Sequence, residues 1–260
     1  MKKLIIFNWK MAPDSLKEAK RFFNAVLDFK SYIINSEIVI TPPFVYLNEF
    51  KNKKLKNLKL GAQDVFWENA GAYTGEISAK MLKNSGVEYV IVGHSERRKY
   101  LNETDEIINK KVLAGLKAGL KVILCVGEDL LIRRHGKKAA ENFIKKQLEK
   151  DLKGIRSLVV SRKLLVRNFT IAYEPIWAIG AGHSDTPQDA VEIIKYIKNL
   201  LAARYSLNSI RVLYGGSVDS KNAANFLKHP EIDGALVGHS SLKAEEVKKM
   251  ILLTNSYFTI

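Results

Sequence analysis

Cysteine is almost absent from these 260 residues: Cys125 stands alone, so no disulfide can form within the chain and nothing points to an oxidising compartment. Long apolar runs are missing too. No stretch approaches the roughly 18 to 20 residues needed to cross a bilayer. The opening run Leu4-Ile5-Ile6-Phe7 is interrupted at Trp9-Lys10 before the core of a signal peptide is reached, and it reads as a strand. The expectation is a soluble, cytoplasmic protein without membrane partners. Acidic residues are scarce: 27 Asp+Glu face 42 Lys+Arg, a formal charge of +15 that invites a nucleic-acid or anionic-surface partner. The basic groups, however, are spread over Lys51 to Lys59, Arg133 to Lys138 and Lys248-Lys249, with no interleaved aromatics to stack bases. Solvated lysine-rich helices are expected instead of a nucleic-acid site, and a milder reading is a field that attracts a small phosphorylated substrate. Metal-ligand spacing is also lacking, since His94, His135, His183, His229 and His239 fall in different structural units.

What is present is apolar content of 47%, enough for a full core. Short β-branched or apolar runs recur at Leu4 to Phe7, Ile38 to Thr41, Leu58 to Ala62, Tyr89 to Val92, Val122 to Val126, Thr170 to Tyr173, Arg211 to Tyr214 and Ala235 to Val237. Segments of helical periodicity lie between them, as in Phe22, Phe23, Val26, Leu27 and in Val112, Leu113, Leu116. Strand and helix in alternation imply a parallel sheet. Eight such units without a Pro/Gly/Ser linker fit one closed (β/α)8 barrel, a single domain over residues 1–260, better than a doubly wound sheet with a second domain. The basic stretch Arg156 to Arg167 reads as a helix end and connector before the sixth strand.

In such a barrel, catalytic side chains stand at the C-terminal ends of the strands, and the unusual residues fall there. Asn8 and Lys10 follow the first strand, two apart, so an extended backbone points both to one side; taken alone, the pair reads more readily as a plain polar loop. The fourth strand runs into Gly93-His94-Ser95-Glu96-Arg97-Arg98, where His94 is either chemical or a helix cap. Glu96 is either functional or paired with a neighbouring arginine, and Arg97 and Arg98 read as scaffold. After the sixth strand, Glu174 opens a largely apolar loop, Pro175-Ile176-Trp177-Ala178-Ile179-Gly180-Ala181-Gly182. That loop is either a lid excluding water from a site below or a buried crossover with Glu174 in a salt bridge. Tyr214-Gly215-Gly216-Ser217-Val218 and Leu236-Val237-Gly238-His239-Ser240 end the last two strands, the usual place for backbone N–H groups that hold a phosphate.

Taken in order, Asn8-Trp9-Lys10, Gly93 to Arg97, Ala172 to Gly180 and Tyr214 to Val218 resemble the signature segments of the triosephosphate isomerases. The likeness extends over essentially the whole chain, including Ala62-Gln63-Asp64, Gly71 to Ser78 and Cys125 to Glu128. It implies a cofactor-free aldose–ketose isomerase, active on dihydroxyacetone phosphate and glyceraldehyde 3-phosphate in glycolysis and gluconeogenesis. Glu174 would be the base, its basicity raised by desolvation, and His94 the electrophile, with Lys10 and Glu96 supporting them. Asn8 and Lys10 would contact substrate, and backbone N–H groups of Gly180, Ser217, Gly238 and His239 would hold its phosphate. The finger Phe66 to Ile77 would insert beside a second subunit's site, Thr74 reaching toward the partner, so a homodimer is implied. Several positions depart from the family pattern: Ala181 and His183 in the lid, His239 for a second glycine, Asp64 for asparagine, and Ala79 for proline. They leave open an isomerase of another small sugar phosphate, or a basic barrel-shaped binding protein with reduced activity.

Overall fold

The computed structural model describes residues 2–51, 56–158, 167–179 and 185–256. Eight strands form a closed barrel: β1 (Lys3–Asn8), β2 (Ser36–Thr41), β3 (Leu58–Ala62), β4 (Tyr89–Val92), β5 (Lys121–Val126), β6 (Phe169–Tyr173), β7 (Arg211–Tyr214) and β8 (Gly234–Val237). Each pairs in parallel with the next, and β1 closes the ring on β8 through the register Leu4↔Gly234 to Phe7↔Val237. The expected runs match these strands to within two residues at either end.

Alternation explains why those runs were so apolar. Successive residues of a strand face opposite sides, and here both sides are dry. Leu4, Ile6, Val39, Tyr89, Ile91, Ile123, Cys125, Ala172, Leu213 and Leu236 fill the barrel interior. Their neighbours Ile5, Phe7, Ile38, Ile40, Val90, Val122 and Ile171 pack outward on the helices.

The helices in chain order are α1 (Leu16–Leu27), α2 (Leu47–Phe50), α3 (Ala79–Asn84), α4 (Ser95–Tyr100), α5 (Asp105–Lys117), α6 (Leu130–Arg134), α7 (Lys137–Asp151), α8 (Ile155–Leu158), α9 (Pro187–Tyr205), α10 (Ala223–Leu227) and α11 (Ala244–Ser256). The basic stretch before β6 starts in α8 as read, and its part over 159–166 lies outside the described residues. Ser78, Thr104, Asp129 and Thr186 cap helix starts by accepting the N–H of the residue three positions on, which fixes where the chain turns from the barrel mouth into each helix. Ala79 is the first residue of α3, the helical position where proline is best tolerated. Asp64 accepts from buried Lys111 at 2.7 and 2.8 Å and pairs with Arg97 at 2.8 Å, the same two cations that hold Glu103, so the charge absent from an asparagine joins a network of two acids and two bases. Among the described residues no helix is long and apolar enough to cross a membrane.

Candidate active site

The C-terminal ends of β1, β4, β6, β7 and β8 surround a cavity of about 560 Å³. Asn8, Lys10, His94, Glu174, Ser217, Gly238 and His239 all line it. Gly180 lies outside the described residues, as do Ala181, Gly182 and His183.

Glu174 follows β6 directly and is buried. Its Oε2 accepts the backbone N–H of Ser95 at 2.9 Å, and its Oε1 lies 3.2 Å from Nε2 of His94. His94 caps α4: its Nδ1 accepts the N–H of Glu96 at 3.2 Å. A ring nitrogen that accepts carries no proton, so in the neutral imidazole that contact assigns the proton to Nε2, on the cavity side. The capping contact and a chemical role for His94 are therefore compatible in one arrangement. The cap selects the tautomer that presents a donor.

Glu96 pairs with the ammonium of Lys10 and not with an arginine, its other oxygen lying 3.7 Å from Nδ1 of His94. Arg97 goes to Asp64 and Glu103, and Arg98 to Asp105 and Asp151, both scaffold roles as read. Lys10 reaches the cavity by another route than the one expected. It lies beyond the end of β1 with a left-handed φ of 53°, so the extended alternation with Asn8 does not apply to it. Asn8 Oδ1 accepts the Lys10 N–H at 3.0 Å, and Gln63 Nε2 donates to the Lys10 carbonyl at 2.8 Å, so this uncommon backbone is held from both sides. Sequence reading missed two supports, the Ser95 N–H that holds Glu174 and the Gln63 amide that holds Lys10. Both stood inside the recognised segments, but one acts through its backbone and the other through a residue distant in the chain.

The last two strands supply walls with little side chain. A Cβ on Gly215 would come within 2.9 Å of Cγ of Glu174, so the carboxylate's position depends on that glycine. Ser217 Oγ donates to the Ala178 carbonyl at 2.7 Å, tying the β7 loop to the loop after β6. Beneath that loop, Glu128 Oε1 accepts from Tyr173 at 3.1 Å and from Trp177 Nε1 at 3.0 Å, and burial pushes the Glu128 carboxyl upward from its usual range. The cavity can thus hold a small anion against glycine-rich backbone while presenting a carboxylate, an N–H donor and a cation to its other end. No group of three or more metal-ligating side chains occurs among the described residues.

The family model described as triosephosphate isomerase matches residues 3–254. Proteins named triosephosphate isomerase from Caldanaerobacter subterraneus subsp. tengcongensis and Thermoanaerobacter pseudethanolicus are 45% and 46% identical, each over 95% of this chain and 98% of its own length. One from Aquifex aeolicus is 43% identical over 96% of this chain and 99% of its own.

Proposed function

The chain belongs to the triosephosphate isomerase family and interconverts dihydroxyacetone phosphate and glyceraldehyde 3-phosphate; from that premise we propose how its residues divide the reaction. The isomerisation removes a proton from the carbon beside a carbonyl and leaves negative charge on oxygen, an enediolate. Glu174 takes the proton. His94, with its Nε2 proton, donates to the developing oxyanion and moves a proton between the two oxygens, while the Lys10 ammonium stabilises the charge and Asn8 adds a polar contact. Glu96 holds Lys10 in place and, through its own N–H, fixes the His94 tautomer.

The observation that carries this reading is the 3.2 Å approach of Glu174 to His94 Nε2 inside the cavity. Base and acid occupy each other until substrate displaces the contact. Backbone N–H groups of Ser217, Gly238, His239 and Gly180 take the phosphate, remote from the reacting carbons, and that binding energy assists closure of the loop after β6.

The whole chain, 1–260, acts as one domain, a reading supported by the closure of β1 on β8. It works in the cytoplasm, in keeping with its lone, buried and unpaired Cys125. It pairs with a second copy through the finger Phe66 to Ile77. Thr74 and Tyr73 are exposed there, and elsewhere Met11 (99%), Val45 (80%) and Met81 are further apolar side chains that a single subunit leaves in water.

The test is a coupled assay of triose phosphate interconversion in the presence of a metal chelator, comparing the wild type with Glu174→Gln. The variant is expected to lose about 10²- to 10⁴-fold in kcat. A folded Glu174→Gln enzyme with near wild-type kcat would remove Glu174 as the base.

A further inference from the structure

Where β4 leaves the barrel, one edge of β5 has no strand beside it, and two side chains complete that edge. The last pair between the two strands is Val92↔Leu124, after which the chain turns away at Gly93 with a left-handed φ of 72°. β5 runs on to Val126, and backbone groups two residues apart point to the same side, so the Cys125 carbonyl and the Gly127 N–H both face the gap. Buried backbone groups need partners. The Cys125 carbonyl accepts from Nη2 of Arg98 at 3.1 Å, and the Gly127 N–H donates to Oε1 of Gln147 at 3.0 Å. Both supports trace to one face of α7: Gln147 stands on it, and Asp151, one turn further, accepts from the same Arg98 nitrogen at 2.7 Å.

The opposite edge of the same segment carries Glu174. The Glu174 N–H donates to the Val126 carbonyl at 2.8 Å and the Ile176 N–H to the Glu128 carbonyl at 3.0 Å, so the exit of β6 hangs on the two residues that flank Gly127. Gly127 itself lies so close that a Cβ on it would overlap the Glu174 carbonyl. Any shift of Gly127 therefore moves the Glu174 backbone, while the carboxylate at the far end stays bonded to the Ser95 N–H. Gln147 is buried, and the catalytic scheme above makes no use of it. We propose that Gln147 is a positioning residue for Glu174: by accepting the Gly127 N–H it fixes the strip of backbone from which the base projects. Without that acceptor the N–H is left buried and unpaired, a cost the segment relieves by moving toward another partner. A displacement of about 1 Å at a reacting group costs about 10²-fold in rate. The phosphate end of the cavity is built on β7 and β8, so substrate binding is expected to survive the change.

The role rests on Glu174 being the base, and a double-mutant cycle separates the two claims. Values of kcat and KM for triose phosphate isomerisation, with melting temperatures, are measured for the wild type, Gln147→Leu, Glu174→Gln and the double variant. Gln147→Leu fills similar volume without an acceptor; if it does not fold, Gln147→Asn, one methylene shorter, draws the amide out of reach and is read in the same way. Gln147→Leu is expected to lose about 10- to 100-fold in kcat with KM within about three-fold of wild type. Gln147→Glu keeps an acceptor oxygen and should recover most of the loss. On top of Glu174→Gln, the same Gln147→Leu change should cost no more than about two-fold, because a residue that acts through another is not additive with it. Ile144→Val, a mild core change in the same helix, controls for loosening of α7 and should keep wild-type kcat. A folded Gln147→Leu enzyme with wild-type kcat overturns the proposal. So does an equal loss in Ile144→Val, or the full Gln147→Leu loss repeated in the Glu174→Gln background. Near wild-type kcat in Glu174→Gln alone would remove the base, and its positioning residue with it.

Discussion

Gly238 and His239 are neighbours on the cavity wall, yet backbone and packing set different limits on them. A Cβ on Gly238 would stand 2.8 Å from Cε of Lys10, so any side chain there displaces the ammonium from its place beside Glu96. His239 starts a short 3-10 turn, is exposed, and does not have the left-handed backbone that would call for glycine. That difference accounts for the family's second glycine being replaceable here while the first is retained. Gly238→Ala is expected to lower kcat/KM by roughly 10- to 100-fold through a displacement of about 1 Å, with little change in melting temperature. His239→Gly should bind a phosphate-bearing inhibitor as wild type does, since the contact assigned to it is a backbone N–H. Inhibition constants for the two variants decide the matter, and a large loss in His239→Gly would assign the phosphate contact to the imidazole.

At the level of elements, α4 is anchored by a residue that does no chemistry. Arg98 donates to the Gly93 carbonyl at 2.9 Å, to the Cys125 carbonyl at 3.1 Å, and to Asp105 and Asp151 at 2.7 Å, so one guanidinium joins β4, β5, α5 and α7 behind His94. Asp151 is wholly buried, and truncating its partner leaves a charge without compensation. Arg98→Ala should therefore cost about 3 to 5 kcal/mol in denaturant unfolding. The cost should shrink toward acid pH, where Asp151 takes up a proton. A loss below about 1 kcal/mol would show that water replaces the guanidinium. Such anchors mark the boundary of what the sequence discloses. The strands were legible because burial on both faces leaves nearly unbroken apolar runs such as Leu4 to Phe7 and Val122 to Val126. The groups proposed for the chemistry stand at strand ends in an order that a sequence can display. The partners of Arg98 lie up to 53 residues away, and no local pattern discloses them. The turn at Lys10 was read as extended because alternation holds only while a strand continues, and β1 stops at Asn8.

Over the whole molecule the excess of positive charge acts on substrate and on a second subunit with opposite sign. Many lysines are tied to acids, as in Lys20–Glu49, Lys59–Glu88, Lys195–Glu231 and Lys198–Asp233, which fits solvated helices better than a polyanion-binding strip. What remains is a net field from a charge of +15. It draws in a phosphate dianion and opposes the approach of a like-charged copy to the exposed finger at Tyr73 and Thr74. Raising ionic strength from about 10 to 150 mM shortens the screening length from about 30 to 8 Å and weakens both effects. The dimer proposed above is thus expected to tighten with salt in sedimentation equilibrium. Over the same range kcat/KM should fall several-fold while kcat holds, because only capture of the anion depends on the field. A dimer that loosens with added salt would assign its interface to ion pairs instead of the apolar finger, and a fully active monomer at assay concentration would remove the dimer from the account. A kcat/KM unmoved by salt would show that the charge is spread too evenly over the surface to focus at the cavity.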